Sequence, residues 1–155
     1  MFSEFFAYTV TGLFLGAAYS IAASGLVLTY STTRVFNLAH GAISMVAGFV
    51  YWQLRVKEGL PTWLAVILVL FVIAPAFGVA LERFVMRGLG DSPVSVSLVV
   101  TVGLFIFLVG LAQQFWPLDT FRSVDYFFSG HNVKLFGTYI QDHYLLTMAV
   151  SAFVA

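Results

Sequence analysis

The sequence predicts an all-α, polytopic membrane protein, and three observations support this fold class. Hydrophobic residues make up 61% of the chain and charged residues only 9%, with a mean hydropathy of +0.97, whereas charged residues make up roughly a quarter of soluble domains. Charge-free apolar runs reach the roughly 20 residues that a helix needs to cross a bilayer core. These runs lack the alternation of apolar and polar residues that a membrane β-barrel requires. We therefore expect four transmembrane helices and the start of a fifth.

The four complete spans are predicted from the charge-free runs, near residues 5–28, 36–54, 62–85 and 94–116. Residues 117–143 are richer in polar groups, so we predict an extramembrane segment with a short strand at residues 133–136 and a turn at Gly137. A fifth apolar run begins at residues 144–155 but is shorter than the roughly 17 residues of a minimal span. Residues 1–155 are therefore interpreted as the N-terminal part of one transmembrane domain, cut off within its fifth span.

The residues at the ends of the spans indicate how the chain alternates across the membrane. Alternation brings three tryptophans to the same interface, as expected of an aromatic belt: Trp52, Trp63 and Trp116. On the opposite side Arg83 and Arg87 lie in a tight turn, and this density of positive charge favours that side as cytoplasmic. The N-terminus is then predicted to lie outside.

Charge and composition exclude several classes of function. Lys plus Arg and Asp plus Glu number 7 each, so no net field attracts nucleic acid. The chain has no cysteine, and its histidines and carboxylates show no metal-ligand spacing. It also lacks a glycine-rich phosphate loop. We expect no metal, no cofactor on this chain and no nucleic-acid partner.

The most informative residues open the second span, where Asn37 and His40 interrupt lipid-grade sequence. An unpaired polar group in hydrocarbon costs several kcal/mol, so we predict that both residues are shielded from lipid. In one interpretation they line a substrate pathway together with Ser44, at a second span broken near its start. In the other, Asn37 caps the helix and His40 bonds a neighbouring carbonyl.

Small residues recur every fourth position in the first span, a pattern that permits close approach of a neighbouring helix: Gly12, Gly16, Ser20 and Ser24. Ser44 and Gly48 repeat the spacing in the second span. We predict helix packing at these residues, with pore lining as the alternative. In the third span, Pro75 with Gly78 is predicted to kink the helix.

Four motifs in this sequence resemble those of a known family. Residues 25–30 have the sequence Gly-Leu-Val-Leu-Thr-Tyr, and residues 37–41 have Asn-Leu-Ala-His-Gly. Glu82-Arg83 precedes Met-Arg-Gly-Leu at residues 86–89, and residues 101–104 are Thr-Val-Gly-Leu. In this order the motifs resemble the first half of the permeases of branched-chain amino acid ABC importers. Gly88 stands where that family usually has proline.

The resemblance implies the N-terminal part of a permease domain, in a transport subunit without enzymatic activity of its own. It implies import of branched-chain amino acids by alternating access, with ATP hydrolysed on partner subunits. The implied partners are a second homologous permease, two cytoplasmic ATPase subunits and an extracytoplasmic substrate-binding protein, in a bacterial or archaeal inner membrane. Two alternatives stay open: a permease of the same superfamily for urea, amides or a sugar, and a truncated membrane protein that does not transport.

Overall fold

The computed structural model describes residues 2–89, 92–117, 119, 121–124, 132–135 and 138–154. Within these ranges the chain forms the helices α1 (Phe2–Thr33), α2 (His40–Trp52), α3 (Thr62–Leu68), α4 (Ala74–Phe84), α5 (Val94–Phe115) and α6 (Asp142–Val154). The predicted polytopic all-α fold is confirmed. Among the described residues, three helical stretches are long and apolar enough to cross a membrane: Glu4–Thr33, Thr62–Gly88 and Val94–Phe115.

The second predicted span differs from the structure at its beginning. Helix α2 starts at His40 and not at residue 36, because a turn at Asn37 precedes it: the His40 amide donates to the Asn37 carbonyl at 3.2 Å. The predicted start at residue 36 is therefore four residues too early, and a break within this span stays a prediction. With 13 residues, α2 is shorter than the roughly 17 residues of a minimal span, and the number of complete spans stays a prediction.

Helix α2 continues into a π-helical turn, Gln53–Lys57. The turn ends where the Leu60 amide donates to the Leu54 carbonyl at 3.0 Å. Gly59 adopts a left-handed conformation with φ of 70°, which glycine does without steric cost. The chain reverses direction here and enters α3.

The third predicted span is one helical stretch interrupted by a π-helical turn, Val69–Ile73, between α3 and α4. Proline has no amide hydrogen and its ring clashes with the carbonyl four residues earlier. The π turn lies immediately before Pro75, where the Ala74 amide donates to the Val69 carbonyl. The helix therefore accommodates this proline by widening, at the position where the sequence predicts a kink.

The chain divides into two compact units, and the first comprises residues 1–28 and 125–155. Its strands β1 (Asn132–Leu135) and β2 (Thr138–Gln141) form an antiparallel hairpin, with Val133 opposite Ile140. The predicted strand at residues 133–136 corresponds to β1, and the predicted turn at Gly137 lies outside the described residues. Helix α6 starts at Asp142, two residues before the predicted 144.

The second unit comprises residues 29–124. Its apolar core consists of small and aliphatic side chains from four parts of the chain: Val35, Ala39, Ala42, Met86, Leu89, Leu104 and Leu108. Helix α5 contributes one face, on which buried residues recur at intervals of three or four: Ser97, Thr101, Leu104, Leu108 and Ala112. The core thus joins α2 and α5 to the residues that precede α2.

Candidate functional site

The candidate site is built around residues 34–39, which connect α1 to α2 and are called the α1–α2 link below. Helix α1 ends at Thr33, and the φ of the next residue, Arg34, is 59°, in the left-handed region. The Arg34 amide still donates to the Tyr30 carbonyl at 2.8 Å, and the Val35 amide donates to Thr33 Oγ1 at 3.2 Å. These bonds turn the chain out of α1 and into the link.

Alternate residues of the link are buried in the core. Val35 is 2% exposed, Asn37 5% and Ala39 0%, whereas Phe36 and Leu38 are 39% and 41% exposed. One face of the link is therefore packed against protein. The predicted shielding of Asn37 is confirmed, since its side chain lies on the buried face.

The Asn37 side chain stabilises the turn that starts α2. Its Oδ1 accepts a hydrogen bond from the Ala39 amide at 3.0 Å, an Asx turn of the kind that short polar side chains form with their own backbone. The residue in the N-cap position is Ala39, and no side-chain capping bond is made there. Asn37 therefore orders the link before the helix and does not cap the helix itself.

The side chain of Thr101, on α5, contacts the backbone of the link. It is 0% exposed, and its Oγ1 lies 2.9 Å from the Ser97 carbonyl oxygen and 3.4 Å from the Phe36 carbonyl oxygen. The second contact joins residues 65 positions apart. A polar group on α5 thus contacts the backbone of the link.

The contact with Thr101 places the link well inside the helix bundle of this unit. Thr101 lies seven residues after Val94, the first residue of the 22-residue α5, which is about 10 Å along a helix of about 33 Å. Non-helical backbone at such a depth is tolerated in membrane proteins only where protein buries it or where it lines a cavity. The burial of Val35, Asn37 and Ala39 meets the first condition on one face.

A second contact joins the far ends of α2 and α5. The Trp116 Nε1 group donates to Gln53 Oε1 at 3.1 Å, and the Trp116 ring stacks on Phe49 at 5.4 Å with an interplanar angle of 11°. Phe36, before α2, contacts Thr101 in the first half of α5, and Gln53, after α2, contacts Trp116 at the end of α5. Helices α2 and α5 therefore run parallel, from the level of the link to the tryptophan.

Comparison with protein families decides the assignment. Residues 8–155 match the family described as branched-chain amino acid transport system, permease component. The chain belongs to this permease family. The match includes both the link and α5, so the geometry described above is that of a permease segment.

Three curated relatives illustrate the similarity. The high-affinity branched-chain amino acid transport system permease protein LivH of Escherichia coli K12 is 30% identical over 114 residues, covering 69% of this chain and 37% of that protein. LivH of Salmonella typhimurium is 29% identical with the same coverage. BraD of Pseudomonas aeruginosa is 28% identical over 106 residues, covering 64% of this chain and 34% of that protein. The chain thus spans little more than a third of the length of these relatives. No solved structure matches.

Local hydrogen bonds connect the three predicted pathway residues at the start of α2. Asn37 and His40 are joined by the backbone bond that starts α2, and His40 is half-buried. Ser44 follows one turn later, exposed, with its Oγ donating to the His40 carbonyl at 3.1 Å. Their contact with substrate stays a prediction. In the described part of the chain, no three His, Asp or Glu side chains form a group that could hold a metal.

The small-residue stripe of α1 lies in the first unit. Gly12, Gly16 and Ser20 line a cavity of about 590 Å³ together with Met148 and Ser151 of α6. A Cβ added at either glycine meets no heavy atom within 4 Å, so this chain alone does not pack tightly against the stripe.

The other two predicted packing residues show different environments. Ser24 donates its hydroxyl to the Ser20 carbonyl at 2.9 Å. Gly48 of α2 is exposed, and a Cβ built there also meets nothing within 4 Å. A role in helix packing stays a prediction for all five small residues.

The prediction of site residues from sequence missed Thr101 and Ser97. Both are buried, at 0% and 5% exposed, and they lie one turn apart on the face of α5 that packs on the core. Their spacing puts both hydroxyls on one side of a helix, but Ser95 of the same helix is exposed, so hydroxyl groups alone do not identify the buried side.

Proposed function

We propose that this chain is a membrane permease subunit of an ATP-driven importer of branched-chain amino acids. It works by alternating access with a second homologous permease, two cytoplasmic ATPase subunits that bind and hydrolyse ATP, and an extracytoplasmic substrate-binding protein. The importer lies in a bacterial or archaeal cytoplasmic membrane. The family match and the names of LivH and BraD support this proposal.

The observation that carries the proposal is the α1–α2 link inside the helix bundle. One face of the link is buried, while Phe36 and Leu38 of the other face are about two-fifths exposed. Broken helices of this kind form substrate sites in many transporters, because unwound backbone supplies polar groups in an otherwise apolar environment. The exposed face combines apolar side chains, which suit an aliphatic substrate, with the polar backbone of the link.

The pathway residues follow from this arrangement. Leu38 and Phe36 contact the aliphatic side chain of the substrate, and His40 and Ser44 provide polar groups at the start of α2. Asn37 orders the link through its bond to the Ala39 amide. In this proposal Asn37 acts on transport through the shape of the link.

The test is uptake by the whole transporter in proteoliposomes, with ATP enclosed on the side of the ATPase subunits. Radiolabelled leucine, isoleucine and valine are compared with urea and ribose, each presented with the binding protein. We expect saturable, ATP-dependent uptake of the three amino acids. Ser95→Ala on the exposed face of α5 is the matched control for His40→Ala and Asn37→Ala, which should lower uptake.

The outcomes separate the alternatives. Uptake of urea or ribose in place of the amino acids would show that the transporter has a different substrate class. No ATP-dependent uptake of any of the five compounds would contradict the proposal of a working importer subunit. Equal uptake by the His40, Asn37 and Ser95 variants would show that the link is not part of the substrate pathway.

A further inference from the structure

We propose that Thr101 is a positioning residue for transport, whose hydroxyl holds the α1–α2 link against α5. The role of the link in transport rests on the function proposed above, whereas the contact itself is a feature of the fold. Within the described residues, Thr101 forms hydrogen bonds only with main-chain carbonyls and none with a predicted pathway side chain. It acts on the pathway through the backbone of Phe36.

The geometry supports a hydroxyl shared between α5 and the link. Thr101 Oγ1 lies within 3.5 Å of three carbonyl oxygens, those of Ser97 at 2.9 Å, Leu98 at 3.2 Å and Phe36 at 3.4 Å. A hydroxyl has one proton to donate, and the shortest distance gives it to Ser97. The Phe36 carbonyl is close enough to receive the proton after a small rotation of the side chain or a small movement of the link.

A purely local role for Thr101 explains only part of this geometry. Threonine within a helix commonly donates to the carbonyl four residues earlier, and the bond to Ser97 is of that type. The contact with Phe36 is different, because it comes from a residue 65 positions away and outside any helix. The Thr101 side chain is also 0% exposed, so solvent does not reach its hydroxyl.

The surroundings make the hydroxyl important for the link. Val35 and Ala39 contribute apolar side chains to the core, and the Phe36 carbonyl between them is partly buried where it contacts Thr101. A buried carbonyl without a donor costs free energy comparable to a lost hydrogen bond. Removing the hydroxyl while keeping the shape of the side chain should therefore loosen the link without changing the fold of α5.

The first experiment measures the link directly and does not depend on transport. The chain has no cysteine, so Leu38→Cys introduces a single thiol at an exposed position of the link. Labelling by N-ethylmaleimide is timed in membranes that contain the assembled transporter, with Thr101 intact or replaced by Val, Ser or Ala. Thr9→Val is the matched control, because Thr9 makes the same local bond, to the Phe5 carbonyl at 2.8 Å, but on an exposed part of α1.

We expect Thr101→Val to speed labelling about threefold, the change that one hydrogen bond inside a membrane protein typically supports. Thr101→Ser keeps the hydroxyl and should label like the parent, and so should Thr9→Val. Equal rates in the Val and parent proteins would overturn the proposal, and so would an equal increase in the Ser and Val variants. If Thr101→Val does not accumulate in the membrane, the comparison of Thr101→Ala with Thr101→Ser decides in the same way.

The second experiment measures transport without the cysteine. We expect Thr101→Val to raise the KM for leucine with a smaller effect on the maximal rate, and Thr101→Ser to restore the parental KM. Unchanged KM in the Val variant, together with faster labelling, would overturn the positioning role in transport. If the parent protein itself takes up no amino acid while the labelling pattern holds, the proposed function fails and the contact between Thr101 and the link stands.

Discussion

Trp116 at the end of α5 donates its indole N–H to Oε1 of Gln53, the residue that follows α2, across 3.1 Å. The two residues are 63 positions apart, and Phe49 stacks on the same indole. Beside them, the guanidinium carbon of Arg122 lies 5.2 Å from the centre of the Trp52 ring, within the range of a cation–π interaction. An aromatic and polar cluster thus joins α2, α5 and the residues after α5 at one level.

Gln53→Leu should destabilise the protein, because it leaves the half-buried indole N–H of Trp116 without its acceptor. The expected loss is about 1 kcal/mol of unfolding free energy. Thermal unfolding in detergent, followed by tryptophan fluorescence, measures it. Gln113→Leu is the matched control, since Gln113 is exposed on α5, and an equal effect of both substitutions would show that the bond contributes nothing.

Arg34→Gly should stabilise the fold, because glycine adopts the φ of 59° found at this position without the steric cost borne by arginine. The expected gain is about 1 kcal/mol, as for a left-handed residue at a helix C-terminus. Arg34→Ala removes the same charge but keeps the steric cost, so it separates the two effects in thermal unfolding. If the alanine and glycine variants unfold at the same temperature, the left-handed conformation carries no strain.

Ala42→Leu should destabilise the second unit by overpacking its core. Ala42 is 1% exposed, and extra methylenes in a packed core typically cost about 1–3 kcal/mol. Ala76→Leu on α4 is the control, because Ala76 is exposed. Comparison of the two variants by thermal unfolding tests whether α2 and α5 pack as closely as described, and a tolerated leucine at residue 42 would argue against it.

Gly12→Leu and Gly16→Leu should weaken assembly with the second permease more than Ala22→Leu does. The glycines permit close helix approach, and a Cβ at either one meets no atom of this chain within 4 Å. The substitutions should therefore leave the chain itself folded and act only where another helix approaches. Co-purification of the partner permease gives the readout, and equal recovery of all three variants would show that the stripe is incidental.

The apolar runs predicted most of the helices, because length and hydropathy alone define a membrane helix. The helical stretch Thr62–Gly88 and α5 begin at the predicted residues 62 and 94. The start of α2 was misplaced by four residues. The Asn37 side chain accepts a hydrogen bond from the Ala39 amide and forms a turn there, so the helix begins only at His40. Hydropathy does not detect that competition between side chain and helix.

Asn37 could be recognised as a site residue because a carboxamide is conspicuous in apolar sequence. Thr101 could not be recognised in the same way, since its partner is a main-chain carbonyl 65 positions away. The spacing of Ser97 and Thr101 indicates only a shared helix face and does not identify the carbonyl that Thr101 contacts. The π turn before Pro75 lies between these cases: proline predicts a disturbance of the helix, but the sequence does not say whether the helix bends or widens.

The parallel pairing of α2 with α5 has a mechanical consequence. Because α5 contacts Phe36 just before α2 and Gln53 just after it, we expect the two helices to move together. Among the described residues, Arg34 and Gly59 have positive φ, and they lie before and after the α2 segment. A swing of this pair against the neighbouring helices would therefore have to change the backbone at these two helix ends, which is where hinges are usually found.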